Sequence, residues 1–177
     1  NSLVVRHAIN RGLGAALGTG FKYGHQKKFD VLVTFDADGQ HQAKDIEKIL
    51  TPIKNNRADV VVGSRLLWQK KKMPTGRLIL NHLSNFATFV LYGIWDTDTL
   101  SGLRGFNKKA LECIKIRTQR MEVSNEFFKE IYRNQLRYHE IPIEPIYTDY
   151  SKSSSSQGQF PKRELKLATA MILRLFR

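Results

Sequence analysis

Short apolar runs alternate with stretches of helical spacing along the first third of the chain. Leu3-Val4-Val5 reads as a strand. Asn10-Arg11-Gly12-Leu13-Gly14-Ala15-Ala16, then Leu17, Gly18 and Phe21, reads as a Gly-rich turn opening a small-residue helix that runs to about Gly24. Val31-Leu32-Val33-Thr34-Phe35 is a β-branched and aromatic run too short for a helix, which predicts a buried strand of a parallel sheet. From Lys44 to about Asn55, Ile46, Ile49, Leu50 and Ile53 recur at helical spacing, and Val60-Val61-Val62-Gly63 follows as another buried strand. The order β-α-β-α-β predicts an α/β chain with a mainly parallel sheet flanked by helices.

Downstream the pattern is more helical. Leu78 to Trp95 is largely apolar, but Asn81, His82, Ser84, Asn85 and Thr88 interrupt it, so it fits an amphipathic helix better than a transmembrane span. Further helices are predicted over about Lys108 to Ile114 and Glu122 to Asn134. Tyr138 to Tyr147, with its Ile-Pro-Ile-Glu-Pro pattern, reads as an extended edge element. Ser151 to Gln159 is serine-rich and reads as a flexible loop. Beyond it, Leu165, Ala168, Ile172 and Leu175 interleave with Lys162, Arg163, Lys166, Arg174 and Arg177, the pattern of a basic amphipathic helix over 161–177.

A length of 177 residues suits one domain, placed at 1–160 with the basic helix appended. The lone Cys113 excludes an internal disulfide framework or a multi-cysteine metal site, and suits a helix core and a reducing compartment. The 29 Lys and Arg against 16 Asp and Glu give a net charge of +13, which points to a polyanionic partner: nucleic acid, an anionic membrane or phosphorylated substrates. The basic residues are dispersed and no nucleic-acid-binding signature is present, so a nucleic-acid module is a remote alternative and no nucleic-acid partner is expected. The chain starts at Asn1 rather than Met and runs at once into an apolar segment, which reads as an N-terminally incomplete domain.

Candidate chemistry sits at the strand ends. Asp36 and Asp38 follow the first buried run, where open α/β sheets bind ligands, and residues two apart on an extended segment face one side. Both can converge on one hard divalent cation, with Gln40 a further oxygen donor. A polar turn with Asp38 as its cap accounts for the same residues, and His41 beside them fits either a ligand or a turn residue. Arg65, just past Val60–Gly63, and Arg104, in the Asp98–Phe106 segment, offer guanidinium groups for phosphate oxygens or for surface ion pairs. Asp98, Glu122 and Glu126 are the further carboxylates within reach.

Taken in order, Asn10–Ala16, Val33-Thr34-Phe35-Asp36-Ala37-Asp38-Gly39-Gln40-His41, Ala58–Arg65, Asp98–Phe106, Met121-Glu122, Ser124-Asn125-Glu126, Glu140-Ile141-Pro142-Ile143 and Tyr147–Lys152 resemble the inverting family 2 glycosyltransferases of the GT-A fold. The likeness is greatest to their bacterial cell-surface polysaccharide and polyprenyl-phosphate branch. It implies that Asp36, Asp38 and Gln40 hold Mg²⁺ or Mn²⁺ against the diphosphate of a UDP- or GDP-linked sugar. It also implies that Asn10, Gly12, Asp36, Arg65 and Arg104 serve donor or acceptor phosphates, and that Asp98, Glu122 or Glu126 supplies a catalytic base where the acceptor is a hydroxyl. A polyprenyl phosphate acceptor, already ionised, needs none. The implied reaction is single displacement with inversion, serving cell wall polysaccharide synthesis. The reducing compartment that suits Cys113, and the apolar faces flanked by Lys and Arg over Leu78–Trp95 and 161–177, point to a cytoplasmic chain, peripheral on the inner face of an anionic membrane. The base-contacting segment of such enzymes would precede Asn1, and Ser156-Gln157-Gly158-Gln159 departs from their usual loop, so the alternative is a noncatalytic glycosyltransferase-like scaffold.

Overall fold

A computed structural model describes residues 2–68, 75–120 and 122–146. The loop and basic helix read over 151–177, and the lysines at 70–72, lie outside the described residues. Among the described residues, ten elements run in the order α1 (Leu13–Gln26), β1 (Val31–Thr34), α2 (Lys44–Lys54), β2 (Val60–Ser64), α3 (Arg65–Trp68), α4 (Thr75–Tyr92), β3 (Arg104–Asn107), α5 (Lys108–Cys113), α6 (Val123–Arg133) and β4 (Tyr138–Pro142).

The four strands form one sheet in the order β1-β3-β2-β4. Its pairings correct the expectation of a mainly parallel sheet. β3 lies antiparallel between β1 and β2, and only β2 and β4 pair in parallel. The sheet is therefore mixed: β1, β2 and β4 run one way and β3 runs against them. β3 went unread because Ser-Gly-Leu-Arg-Gly-Phe-Asn carries two glycines in a run too short to show alternation. Gly105 is there for packing, since a Cβ would come within 2.9 Å of Ile53 Cδ1 on α2.

Three further expectations fail. Leu3-Val4-Val5 is irregular and exposed, with Val4 at 87%; no described strand offers it a hydrogen-bonding partner. β1, expected to be buried, is a half-buried edge strand paired on one side only. Cys113 is likewise half-buried at the end of α5 rather than in a core.

β2 carries the centre of the molecule. Val60 and Val61 are fully buried on opposite faces, as the pleat requires. On one face Val60 and Phe106 meet Phe21 of α1, Ala110 and Leu111 of α5, and Phe127, Phe128 and Ile131 of α6. Phe106 stacks on Phe127 at 5.2 Å and meets Phe21 edge-on at 4.8 Å. On the other face Val61, Leu103, Ile141 and Ile143 pack against Ile49 and Ile53 of α2. The helical spacing that predicted α2 is thus the spacing that fills this second core.

The sheet has two polar edges. At one, Asp59 accepts from Arg137, Asn107 and the Arg137 N–H, and Lys109 lies 3.6 Å away. The Arg137 side-chain hydrogen bond leads the effects that hold the Asp59 carboxyl well below the usual carboxylate range. Asn107 also ends β3 and caps α5 through the Ala110 N–H at 2.9 Å. At the other edge β1, β2 and β4 end, and β3 begins.

Candidate functional site

That second edge gathers Asp36, Asp38, Arg65 and Asp98. β1 ends at Thr34, whose hydroxyl donates to the Gly102 carbonyl at 2.7 Å, tying the exit of β1 to the entrance of β3. Asp36 then rests directly on Gly102, where any side chain would collide with the carboxylate. Asp38 Oδ1 accepts from the Gln40 N–H at 3.0 Å, and Gly39 turns the chain at φ 77°. The Gln40 carbonyl accepts from Ile146 N, pinning the turn to the segment after β4. The capping geometry read from the sequence is therefore present, and it leaves Asp38 Oδ2 and the half-exposed Asp36 carboxylate facing outward.

His41 closes the turn. Its ring is buried, with Nε2 3.9 Å from Asp36 Oδ2 and the Phe35 ring 5.8 Å away. Burial pushes its pKa down, Asp36 opposes, Arg65 pushes down again, and Asp38 and Asp98 oppose. One histidine thus feels four of the residues read from the sequence. No group of three or more His, Cys, Asp or Glu side chains with metal-holding geometry occurs among the described residues. The donor set nonetheless fits a hard cation of the Mg²⁺ type. Such an ion takes one or two carboxylates and completes its shell with water and substrate phosphate.

Arg65 begins α3, immediately after β2. Its Nε and Nη2 donate to the two oxygens of Asp98 at 2.7 and 2.8 Å, and its backbone N–H adds a third bond at 3.0 Å. Asn81 of α4 supplies a fourth donor to Asp98 at 2.7 Å. Asp98 is wholly buried. Burial alone would raise its carboxyl pKa, but the Arg65 charge and these hydrogen bonds outweigh that and hold it below the usual range.

Two residues earlier, Asp96 behaves in the opposite way. It is buried, Oδ1 accepts from the Asp98 N–H and Oδ2 from the Tyr138 hydroxyl, both at 2.6 Å. Burial first and the nearby Glu140 carboxylate second push it up to about 7. Glu140 Oε1 in turn accepts from Thr97 N–H and Thr97 Oγ1. Neither Asp96 nor Glu140 was assigned a role from the sequence. The signal available was the alternation Asp96-Thr97-Asp98, two acids spaced to face one side beside a β4 glutamate.

The other expected residues stand elsewhere. Arg104, expected at phosphate, is 4% exposed. Its Nε and Nη2 donate to the carbonyls of Ser101 and Thr99, and its guanidinium lies 4.8 Å from the Phe127 ring centre. Burial lowers its pKa, while the nearby acids, Asp96 foremost, oppose. Asn10 Oδ1 accepts from the Gly12 N–H, and a Cβ at Gly12 would stand 2.5 Å from the Gln119 carbonyl. Glu126 accepts from Arg117 N–H, Thr118 N–H and Thr118 Oγ1, while Glu122 stands at the start of α6 without capping it. Asn10, Gly12, Glu122 and Glu126 thus gather around the start of α1 and the 117–120 loop. No hydrogen bond or ion pair among the described residues joins this group to Asp36, Asp38, Arg65 and Asp98.

Known proteins resemble this chain over much of its length. Residues 1–115 match the family model Glycosyl transferase family 2. An uncharacterized protein of Methanocaldococcus jannaschii is 43% identical over 155 residues, covering 85% of this chain and 64% of its own length. The UDP-N-acetylglucosamine–dolichyl-phosphate N-acetylglucosaminyltransferase of Methanococcus voltae is 41% identical over 153 residues, covering 84% and 61%. The undecaprenyl-phosphate mannosyltransferase of Micrococcus luteus is 31% identical over 115 residues, covering 64% and 46%. The chain therefore spans about three fifths of the length of the first two relatives, and the likeness is broader than a bacterial branch. With its family model covering more than half of its residues, the chain belongs to glycosyl transferase family 2.

Proposed function

We propose that this chain contributes the catalytic edge of an inverting glycosyltransferase that moves a sugar from a UDP- or GDP-linked donor to a polyprenyl or dolichyl phosphate. The observation that carries the reading is the outward-facing Asp36–Asp38 pair, set on the same sheet edge as the Arg65–Asp98 ion pair, in a family 2 chain. The named activities of the Methanococcus and Micrococcus relatives support the phosphate acceptor.

Asp36, Asp38 and the Gln40 amide would hold Mg²⁺ or Mn²⁺, which when bound offsets the charge of the departing nucleoside diphosphate. Asp36 is aimed by its seat on Gly102, and Asp38 by its own turn. Arg65 places positive charge at the site mouth while Asp98 fixes its plane. In the reaction an acceptor oxygen forms a bond to the anomeric carbon as the carbon–oxygen bond to the diphosphate breaks. A phosphate acceptor delivers an already ionised oxygen. That suits a site in which Asp98 is committed to Arg65 and Asn81 and Glu126 to the 117–118 loop, so that neither carboxylate is placed to take a proton.

The test is Mn²⁺-dependent transfer from a panel of UDP- and GDP-sugars to a short-chain polyprenyl phosphate. Asp38→Ala should lower turnover by about a hundredfold or more, since it removes a cation ligand, while circular dichroism and Tm stay unchanged. Undiminished turnover in that variant overturns the metal assignment. Donor-independent behaviour of the unsubstituted chain, with no binding of any nucleotide sugar, favours the scaffold.

A further inference from the structure

Asp36 and Asp38 are carried by the loop 35–43, which leaves β1 and enters α2. β1 and β4 are the outermost strands of the sheet, three inter-strand steps or about 14 Å apart. The loop is nevertheless bonded on both sides of that span. Beside β3, Thr34 donates to the Gly102 carbonyl and Asp36 rests on Gly102. Beyond β4, Ile146 N donates to the Gln40 carbonyl at 2.9 Å, and the side-chain Nε2 of half-buried Gln42 donates to the Glu144 carbonyl at 3.1 Å. Lys44, where α2 begins, adds an ion pair to Glu144 Oε2 at 3.1 Å. The loop therefore crosses the strand ends and is clasped to the segment that follows β4.

We propose that Gln42 is a positioning residue for the cation turn, its bond to the Glu144 carbonyl holding Asp38 and the Gln40 amide in place opposite Asp36. The proposal rests on the reading of Asp36, Asp38 and Gln40 as the cation ligands, and adds a residue that touches neither the ion nor the substrate.

The two carboxylates need different supports. Asp36 has a fixed seat against β3, through Gly102. Asp38 and Gly39 are exposed, and the bond from the Gln40 N–H to Asp38 Oδ1 shapes their turn without setting where the turn sits relative to Asp36. That placement comes from the bonds at 40 and 42. The ion pair at Lys44 contributes little, because its side chains are 58% and 42% exposed and the charges are screened by water. Gln42 supplies the part-buried side-chain bond. A turn already in place when the ion arrives need not be ordered by it, so the stabilisation given by the clasp reappears as cation affinity.

Gln42→Met tests this with little change of length and no change of charge, so the electrostatics at the ion stay as they were. In the whole chain, the dissociation constant for Mn²⁺ alone, read from the EPR signal of the free ion, should rise about fivefold to tenfold. Exchange protection of the Ile146 N–H should fall by a similar factor, while Tm moves by no more than about 4 °C. Glu144→Gln keeps the carbonyl and removes only the exposed ion pair, so Mn²⁺ affinity should change by no more than about twofold. Unchanged affinity in Gln42→Met, or an equal loss in Glu144→Gln, overturns the proposal and leaves the cation reading standing. An affinity loss that comes with a large fall in Tm and in protection throughout the sheet marks a merely structural residue and overturns it too. No Mn²⁺ binding by the unsubstituted chain removes the cation reading itself, and the proposal with it.

Discussion

At the scale of single residues, Arg65 and Asp98 show how a polar group becomes structural without leaving the site. A wholly buried carboxylate is tolerated here because a planar guanidinium meets it with two parallel donors, Asn81 adds a third side-chain donor, and the Arg65 backbone supplies the rest. Arg65→Met keeps the aliphatic bulk but strands that charge, and should lower unfolding stability by about 3–5 kcal/mol at neutral pH. The pH dependence gives the stricter test. In the unsubstituted chain the folded pKa of Asp98 is depressed, so its stabilisation is present above the ordinary carboxylate value and is lost as pH falls through the folded one. In the variant, burial raises that pKa, and stability falls as pH climbs above the unfolded value. The gap between the two chains should therefore widen from about pH 4 towards 7 in urea titrations. A gap that is constant across this range contradicts the ionised Asp98.

At the scale of elements, stability is concentrated where α6 meets β3. Phe127 is buried against Phe106, Phe21 and the Arg104 guanidinium, so Phe127→Ala should cost about 3–5 kcal/mol, measured by urea unfolding. Phe89→Ala on α4, with the ring 44% exposed, should cost far less. The same contrast explains what could be read in advance. α2 and β2 were legible because Ile46, Ile49 and Ile53 repeat at helical spacing and Val60–Val62 form an unbroken β-branched run. β3 was not, because its place between β1 and β2 is set by long-range pairing and by Gly105 making room for α2. At the site, Asp36 and Asp38 were visible as a spacing. The partnership of Arg65 with Asp98, and the interior position of Arg104, depend on residues 33 positions apart and on aromatic rings of α6, which no local pattern carries.

For the whole molecule, α4 is turned inside out relative to an ordinary surface helix. Its polar residues Asn81, Ser84 and Thr88 are buried, with Asn85 bonded to the 97–99 segment, whereas Ile79, Leu83, Phe86 and Val90 face solvent along one side. Asn81, Ser84 and Asn85 are bonded to Asp98, Thr97 and Thr99, while Thr88 Oγ1 and Asn81 Oδ1 are buried without a hydrogen bond among the described residues; exposing the apolar side is unfavourable unless something covers it. Together with a net charge of +13, this suits the peripheral membrane contact expected from the sequence, the charge drawing the chain to anionic lipid and the apolar side entering the headgroup region. The two contributions separate experimentally. Binding to vesicles containing about a third phosphatidylserine should weaken steeply as ionic strength rises, because the Debye length shrinks to about 8 Å at physiological salt and to about 3 Å at 1 M. Leu83→Glu combined with Phe86→Glu should lower that binding about tenfold or more at constant salt, with Tm unchanged because both side chains already face solvent. Equal binding to neutral vesicles would remove the electrostatic half of the argument. An unaffected double variant would remove the apolar half and require another cover for α4.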